Sequence, residues 1–330
     1  MACQRSSVAD VAEPGIVLSA EQKLMLSFLP APLVAFVSVV MTVLNTAIVS
    51  LLIFTVSLFK LALPIPPLRR ALTRLNNCFM QGWLVGNAWM LRLANRVEWE
   101  ITDLTTLNPH GWHLIVCNHV SWTDIVILGD LFRRRLPSPK FFLKYELLYV
   151  PFVGLACWGL DMPFMRRYDR HYLLKHPELR GKDVETTRKA CARFSDAPTT
   201  VINFVEGTRF TAEKAREARS PYQHLMQPKA AGLSLALAGM GEQFEKIINV
   251  TLDYPDSPVE PFRDLLCGRM RRIRVRIEEI AITPDLRGDY VNDKQFKRQF
   301  QLWLNGVWQE KDQHLAAMRG EMAPAAVVND

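Results

Sequence analysis

Uncharged apolar residues dominate the first third of this chain, and short apolar runs alternating with charged segments take over after Arg96. No charged residue occurs from Leu24 to Phe59, and Leu, Val, Ile, Phe and Ala make up most of Leu33 to Phe59. A helix of about 20 such residues crosses a bilayer core, so this segment is long enough to cross once with tilt. Its polar members, Ser38, Thr42, Asn45, Thr46 and Ser50, allow a second arrangement: a helical hairpin bent near Asn45 and held within one leaflet. A cleaved signal is a poor fit, because the uncharged run exceeds a signal's apolar core and no small-residue cleavage site follows it.

The flanking charges orient the segment. Lys60, Arg69, Arg70 and Arg74 follow it, whereas Arg5 and Lys23 precede it among Asp10, Glu13 and Glu21. Positive charge stays on the cytosolic side of a membrane, which places everything after Lys60 in the cytosol. A second uncharged stretch, Asn76 to Met90, carries Phe79, Trp83 and Trp89 among Gly and Asn residues. It is too polar to span, and it predicts a helix lying at headgroup level with its aromatics down.

Beyond Arg96 the runs shorten. His113 to Cys117 reads as a buried strand, followed by a helix from Asp124 to Phe132 that Ser121 or Thr123 caps and Arg133, Arg134 and Arg135 close. Lys140 to Leu143, Pro163 to Met165, Thr199 to Val205 and Ile247 to Leu252 read as further strands. Arg271 to Ile280 alternates, with Ile273, Val275 and Ile277 on one face and Arg272, Arg274 and Arg276 on the other, as in a half-buried strand with a basic outer face. His171 to Phe194 and Leu225 to Ala238 read as helical. Val291 to Ala317 predicts a terminal amphipathic helix, its stripe of Phe296, Phe300, Trp303, Leu304 and Val307 facing the core or a membrane surface. Strands alternating with helices define the fold class: α/β, with a mixed, partly parallel central sheet flanked by helices. The expected organisation is a tail (1–23), membrane-anchoring helices (24–95), a catalytic-type domain (96–317) and a disordered end (318–330).

Composition adds a sign. The 330 residues carry a net charge of +7, which favours an anionic partner: phospholipid headgroups, a phosphorylated substrate or nucleic acid. Zinc-finger spacing and aromatic RNA-binding stripes are both missing, so no nucleic-acid partner is expected. Cys3, Cys78, Cys117, Cys157, Cys191 and Cys267 are scattered without a Cys-x-x-Cys pair. That pattern argues against a disulfide framework and a structural metal and for thiols kept reduced on the cytosolic side.

Two places carry candidate chemistry. His119 and Asp124 lie within Cys117-Asn118-His119-Val120-Ser121-Trp122-Thr123-Asp124. The histidine directly follows a buried strand, and the aspartate falls in the first turn of the next helix, so its carboxylate can turn back to the imidazole. A base with a carboxylate behind it deprotonates a hydroxyl. Glu206-Gly207-Thr208-Arg209 also follows a strand end, so both loops are expected on one side of the sheet. The Arg209 guanidinium suits phosphate oxygens, Gly207 permits close backbone approach, and Thr208 has a hydroxyl to donate. Glu206 either fixes Arg209 or binds glycerol hydroxyls, and the bland alternative for the pair is a structural ion pair. Arg167 is a second phosphate candidate, ahead of Lys144 and Lys229. Asn118 shapes its loop rather than reacting.

Asn118-His119-x4-Asp124 followed by Phe204-x-Glu206-Gly207-Thr208-Arg209 resembles the glycerolipid acyltransferases, the group of 1-acylglycerol-3-phosphate acyltransferases. The resemblance runs from Trp112 to Pro255. Phe164-Met165-Arg166-Arg167 is similar to the family's middle motif. Pro228-Lys229-Ala230-Ala231-Gly232, Val250-Thr251-Leu252-Asp253-Tyr254-Pro255 and Phe210 after Arg209 are similar to the lysophosphatidic-acid and lysocardiolipin branch. The resemblance implies an O-acyltransferase in which His119 takes the proton of a lysophospholipid hydroxyl, Asp124 holds the ring, and an acyl thioester donates the acyl group. Acyl-CoA or acyl carrier protein is then the co-substrate, approaching the basic face of Arg272, Arg274 and Arg276, with Leu147 to Leu160 lining an acyl groove. No metal or redox cofactor is implied. A rival reading keeps the fold as a membrane-anchored lipid-binding or scaffolding protein with little turnover.

Overall fold

The computed structural model describes residues 16–19, 26, 28–63, 65–102, 107–165, 175, 198–240 and 242–321. Arg166, Arg167, the helical region expected from His171 to Phe194 apart from Lys175, and residues 322–330 of the expected disordered end lie outside the described residues.

A seven-stranded sheet organises the body, in the order β1 (Ile16–Ser19), β2 (Glu98–Thr102), β9 (Arg272–Ala281), β8 (Phe244–Asp253), β3 (Trp112–Cys117), β7 (Thr200–Asn203), β4 (Pro139–Phe141). A small ladder of β5 (Leu143–Lys144) and β6 (Phe164–Met165) stands apart, and a short helix, α5 (Ala212–Glu217), follows the turn after β7. The run β8, β3, β7, β4 is parallel throughout, whereas β8 and β9 are antiparallel. The sheet is therefore mixed and partly parallel, as expected. Its edge strand β1 comes from the stretch read as an N-terminal tail.

Alternation along β3 divides the interior. Leu114 and Val116 point to a layer built by α6 (Ala230–Met240) and α8 (Lys294–Met318), packing with Leu233, Leu237, Phe300, Leu304 and Trp308. Ile115 and Cys117 point to the opposite layer, with Leu84, Leu91, Ile127 and Leu128. That layer comprises α1 (Ala31–Ala62), α2 (Pro66–Ala94), α3 (Thr123–Phe132) and α4 (Val153–Gly159). Because both faces are covered, the central strands read as near-continuous apolar runs.

The apolar N-terminal segment forms one uninterrupted helix through Asn45, not a hairpin bent there. Asn45 instead donates to the Trp83 carbonyl at 3.0 Å, and the Trp83 indole donates to Thr46 at 3.0 Å. The hairpin is formed by α1 with α2, whose first turn opens on Pro66 and Pro67, where a missing N–H costs nothing. The stretch from Asn76 to Met90 is the body of α2. Met80, Leu84, Met90 and Leu91 are core residues, and Phe79 and Trp83 pack beside them while Trp89 stays exposed. At the other end of α1, the hydroxyl of Ser57 and the amide of Asn76 both donate to the Gly159 carbonyl of α4, at 3.3 and 3.2 Å. An added Cβ at Gly159 would lie 2.5 Å from Ser57 Oγ, so glycine is what lets the helices approach.

Two further expectations change. The stripe of α8 is core: Phe296, Phe300 and Leu304 are buried and Trp303 and Val307 pack against them, so this face does not meet a membrane. The basic face of β9 is matched by acids: Arg272 pairs with Asp256, Arg274 with Glu100, and Arg276 with Glu278. It is not a free cationic surface for the acyl donor.

Candidate active site

Parallel strands end on the same side of a sheet, and open α/β sheets bind ligands at those carboxyl ends. β3 and β7 are parallel neighbours. The loop carrying His119 leaves the end of β3, and the turn carrying Glu206 to Arg209 leaves the end of β7.

In the first loop, His119 Nδ1 lies 2.8 Å from Asp124 Oδ2. The same oxygen accepts the backbone N–H of Val120 at 2.7 Å and of Ser121 at 3.0 Å. Asp124 and Ser121 together organise the start of α3, the Ser121 hydroxyl accepting the Thr123 N–H at 2.9 Å, while Trp122 at the cap position makes no side-chain bond. The second oxygen, Oδ1, accepts the hydroxyl of Tyr254 at 2.8 Å. Asp124 is 0% exposed, so four donors replace its water. With Nδ1–H committed to the carboxylate, Nε2 is the basic nitrogen of a neutral His119 ring. That ring stacks on Phe204, with centroids 4.2 Å apart and planes 20° from parallel, and stays 18% exposed. Asn118 turns into the sheet, where its amide bonds the N–H and carbonyl of Leu252 at 2.8 and 2.9 Å.

The second loop is laced to the first. The Phe210 N–H donates to the His119 carbonyl at 2.7 Å. Glu206 accepts the His119 N–H on Oε1 at 3.4 Å and the Met226 N–H on Oε2 at 3.1 Å. Gly207 has φ +69°, a left-handed turn in which any Cβ would be strained. The exposed Arg209 guanidinium lies 5.6 Å from the Trp122 ring centroid, a cation–π contact that bridges the loops.

His119, Asp124, Glu206, Gly207, Thr208 and Arg209 are thus brought together. Glu206 departs from both readings given to it. It is 1% exposed, and both its oxygens hold backbone N–H groups, so it builds the loop rather than fixing Arg209 or meeting glycerol hydroxyls. Arg209 faces Trp122, not Glu206. Burial pushes the Glu206 carboxyl up to about 8, against the pull of those N–H groups and of Lys311. Lys144 and Lys229 are both exposed. Tyr254, Trp122 and Phe204 are the residues that reasoning from sequence missed as site components. Tyr254 is fully enclosed, and burial beside Asp124 drives its hydroxyl well above the usual range, so it is present as a donor. Its one sequence signal is its place in the run from Val250 to Pro255.

The chain is similar to known acyltransferases. An acyltransferase family model matches residues 98–258. The 1-acyl-sn-glycerol-3-phosphate acyltransferase gamma of Pongo abelii is 27% identical over 306 residues, covering 86% of this chain and 72% of the relative. The mouse gamma protein is 26% identical over 267 residues, 74% of this chain and 65% of its own length, just under two thirds. The 1-acyl-sn-glycerol-3-phosphate acyltransferase 2 of Arabidopsis thaliana is 26% identical over 217 residues, 59% of this chain and 53% of its own. The crystal structure of the LPA acyltransferase PlsC from Thermotoga maritima covers 86% of this chain and 98% of its own, at 13% identity and a TM-score of 0.45. The protein is an O-acyltransferase acting on glycerolipids. Within that class, the relatives this chain resembles are 1-acyl-sn-glycerol-3-phosphate acyltransferases.

Proposed function

We propose that the protein acylates the free hydroxyl of lysophosphatidic acid, giving phosphatidic acid, with acyl-CoA or acyl carrier protein as donor and His119 as general base. His119 Nε2 takes the hydroxyl proton as the oxygen bonds the thioester carbonyl carbon. Asp124 fixes the tautomer and stabilises the imidazolium. The tetrahedral intermediate collapses with loss of the C–S bond, and the imidazolium returns its proton to the departing sulfur. Arg209, steadied on Trp122, takes the phosphate, with Thr208 and the Gly207 turn beside it and Arg167 as a further cation. The observation that carries this reading is the lacing of the His119 and Arg209 loops through Phe210 N–H, Glu206 and Trp122.

The anchor fits delivery of substrate from a bilayer. α1 is long and apolar enough to cross a membrane. However, it packs on α2, on α4 near Ser57 and on α7 (Pro261–Leu266), so it lies along the catalytic domain. A crossing helix in that position would draw the domain into the bilayer with it. Its outward face, with Phe36, Val43, Leu44, Ile48 and Leu51, is exposed and uncharged. In-plane seating of the α1–α2 hairpin in the cytosolic leaflet satisfies both facts.

The test is thioester release from an acyl-CoA with lysophosphatidate as acceptor. A general base contributes about 10²- to 10⁴-fold, so His119→Ala is expected to lose at least that factor while remaining folded and membrane-bound. Turnover by that variant at the parental rate would refute the assignment.

A further inference from the structure

The turn that leads into α4 carries aromatics that the core does not use. From Leu147 to Leu160 the chain holds no charged residue, and the run expected to line an acyl groove turns large side chains outward instead. Tyr149 is 72% exposed, Phe152 44%, Leu155 39% and Trp158 40%. The last three recur at every third position, so they share one face of α4 and its cap. The turn is tightly made. The Val153 N–H donates to the Pro151 carbonyl at 2.7 Å across Phe152, which has φ +63° and ψ −52°. That backbone geometry is strained for a residue with a Cβ, and glycine alone adopts it freely. An added Cβ at Gly154 would lie 2.0 Å from the Leu148 carbonyl oxygen. Strain of this kind persists where the surrounding structure enforces it, and it gathers at functional places.

We propose that this exposed face of Tyr149, Phe152, Leu155 and Trp158 is a second membrane contact, inserting into the leaflet that holds α1 and setting the mouth of the active site on the lipid surface. The proposal rests on the seating of the anchor hairpin and on lysophosphatidate as acceptor. The face continues that of α1: the Trp158 ring lies 6.2 Å from the ring of Phe54, and the uncharged outer side of α1 runs on from there. It is also held rigidly. The Leu160 carbonyl at the end of α4 accepts the Lys140 ammonium of β4 at 2.7 Å, and Asp161 pairs with Lys60 of α1. The aromatics are therefore presented by a fixed helix rather than by a loose loop.

Position and charge choose the occupant. β3, β7 and β4 are parallel neighbours, so the run from β4 to α4 leaves the same end of the sheet as the His119 and Arg209 loops. Phe141, at the end of β4, lies 6.2 Å from Phe204 with ring planes 9° apart, and Phe204 stacks on His119. Just beyond Lys60, the first turns of α2 expose Arg69, Arg70 and Arg74, which form no ion pair among the described residues. A rim of unpaired arginines opposes a second copy of a chain with net charge +7 and suits an anionic leaflet. Tyrosine and tryptophan favour the boundary between hydrocarbon and water, which is where an exposed Tyr149 and Trp158 beside an apolar helix would sit.

The experiment uses the full chain on vesicles of phosphatidylcholine and phosphatidylglycerol. Trp158→Phe is compared with the parental protein on vesicles whose acyl chains carry bromine, which quenches tryptophan in contact with it. The emission that Trp158→Phe removes is expected to be emission that the brominated chains quench; an unquenched difference would overturn the proposal. Phe152→Gly deletes the ring and relieves the backbone, so its melting temperature should hold or rise while α1 keeps it on the vesicles. Thioester release from acyl-CoA should then fall about tenfold with long-chain lysophosphatidate in the vesicles, as expected for the loss of one buried aromatic, and hold with short-chain lysophosphatidate dissolved as monomer. Any other pattern, such as equal loss with both acceptors or loss with neither, would refute the proposal. Should Phe152→Gly not fold, Leu155→Gln is read with the same pair of acceptors. A parental protein idle with both acceptors would count against the acceptor reading alone, and the quenching difference would still decide the surface.

Discussion

Replacing Asp124 by asparagine separates charge from orientation at this site. Oδ2 receives the two backbone N–H groups of Val120 and Ser121 as well as the His119 ring, and Oδ1 receives the Tyr254 hydroxyl. The backbone donors cannot turn away. An asparagine must therefore place its oxygen at the Oδ2 position, since its NH₂ there would face two N–H groups. That NH₂ falls opposite Tyr254, whose hydroxyl accepts as readily as it donates. His119 keeps its Nδ1–H partner, and Nε2 stays basic.

What Asp124→Asn removes is the negative charge 2.8 Å from the imidazole. A charge-assisted hydrogen bond exceeds a neutral one by about 1–2 kcal/mol. The Coulomb term at an effective dielectric of 20 sets an upper bound of about 4 kcal/mol for charges near 4 Å apart. A loss of about 2–4 kcal/mol corresponds to about 30- to 1000-fold in kcat, short of the roughly 10⁴-fold that follows when an asparagine imposes the wrong tautomer. Initial rates of thioester release, with melting temperature measured in parallel, decide the matter. A folded Asp124→Asn protein as slow as His119→Ala would show that the amide had flipped, and a loss under about threefold would show that the charge does not reach the reaction. Asp124→Ala is the wrong test, because it orphans three buried donors at about 1–3 kcal/mol each.

Tyr254→Phe should lower stability by about 1–3 kcal/mol and reduce kcat with KM unchanged, read by denaturant unfolding and steady-state rates; intact kcat would remove Tyr254 from the site. Arg209→Lys keeps the charge but loses the planar fork and the stacking on Trp122, so KM for lysophosphatidate should rise about tenfold or more while kcat holds; an unchanged KM would move the phosphate elsewhere. Exchanging Val43 and Ile48 for aspartate on the outer face of α1 should abolish co-sedimentation with lipid vesicles while changing stability by no more than about 0.5 kcal/mol per site; retained binding would place the anchor elsewhere.

Local physics made part of this protein readable from its residues. β3, β7 and β8 announced themselves as apolar runs buried on both faces, and β9 by its alternation, one face buried and the other charged. The His119–Asp124 contact was readable because a strand end and the next helix's first turn are always near each other. Partner choice across long separations was not. α1 gave no sign that Asn45 would bond to Trp83 rather than bend the helix, because the acceptor is 38 residues away. Arg272 and Arg274 of β9 read as a free basic face because their acids arrive from outside the strand, at Asp256 and Glu100, whereas Glu278, two residues after Arg276, shares its face of the strand. Tyr254 reaches Asp124 over 130 residues, which only the assembled sheet reveals.

The end of β8 explains why a site on loops is held so firmly. Pleating sends Val250, Leu252 and Tyr254 to the layer of α3 and the anchor hairpin, and Thr251 and Asp253 to the layer of α8. These five residues make four ties. The Val250 carbonyl and Thr251 hydroxyl receive Lys311. Leu252 clasps the Asn118 amide on both sides, Asp253 accepts two N–H groups of Arg319 at the end of α8, and Tyr254 closes on Asp124. One strand thus joins the catalytic loop on one face to the C-terminal helix on the other, between two parallel or antiparallel neighbours that fix its register. A one-residue slip would exchange the faces, sending Tyr254 towards α8 and Asp253 into the apolar layer. Residues far from the reacting atoms, at the base of α8, are therefore constrained by the same geometry that places the imidazole.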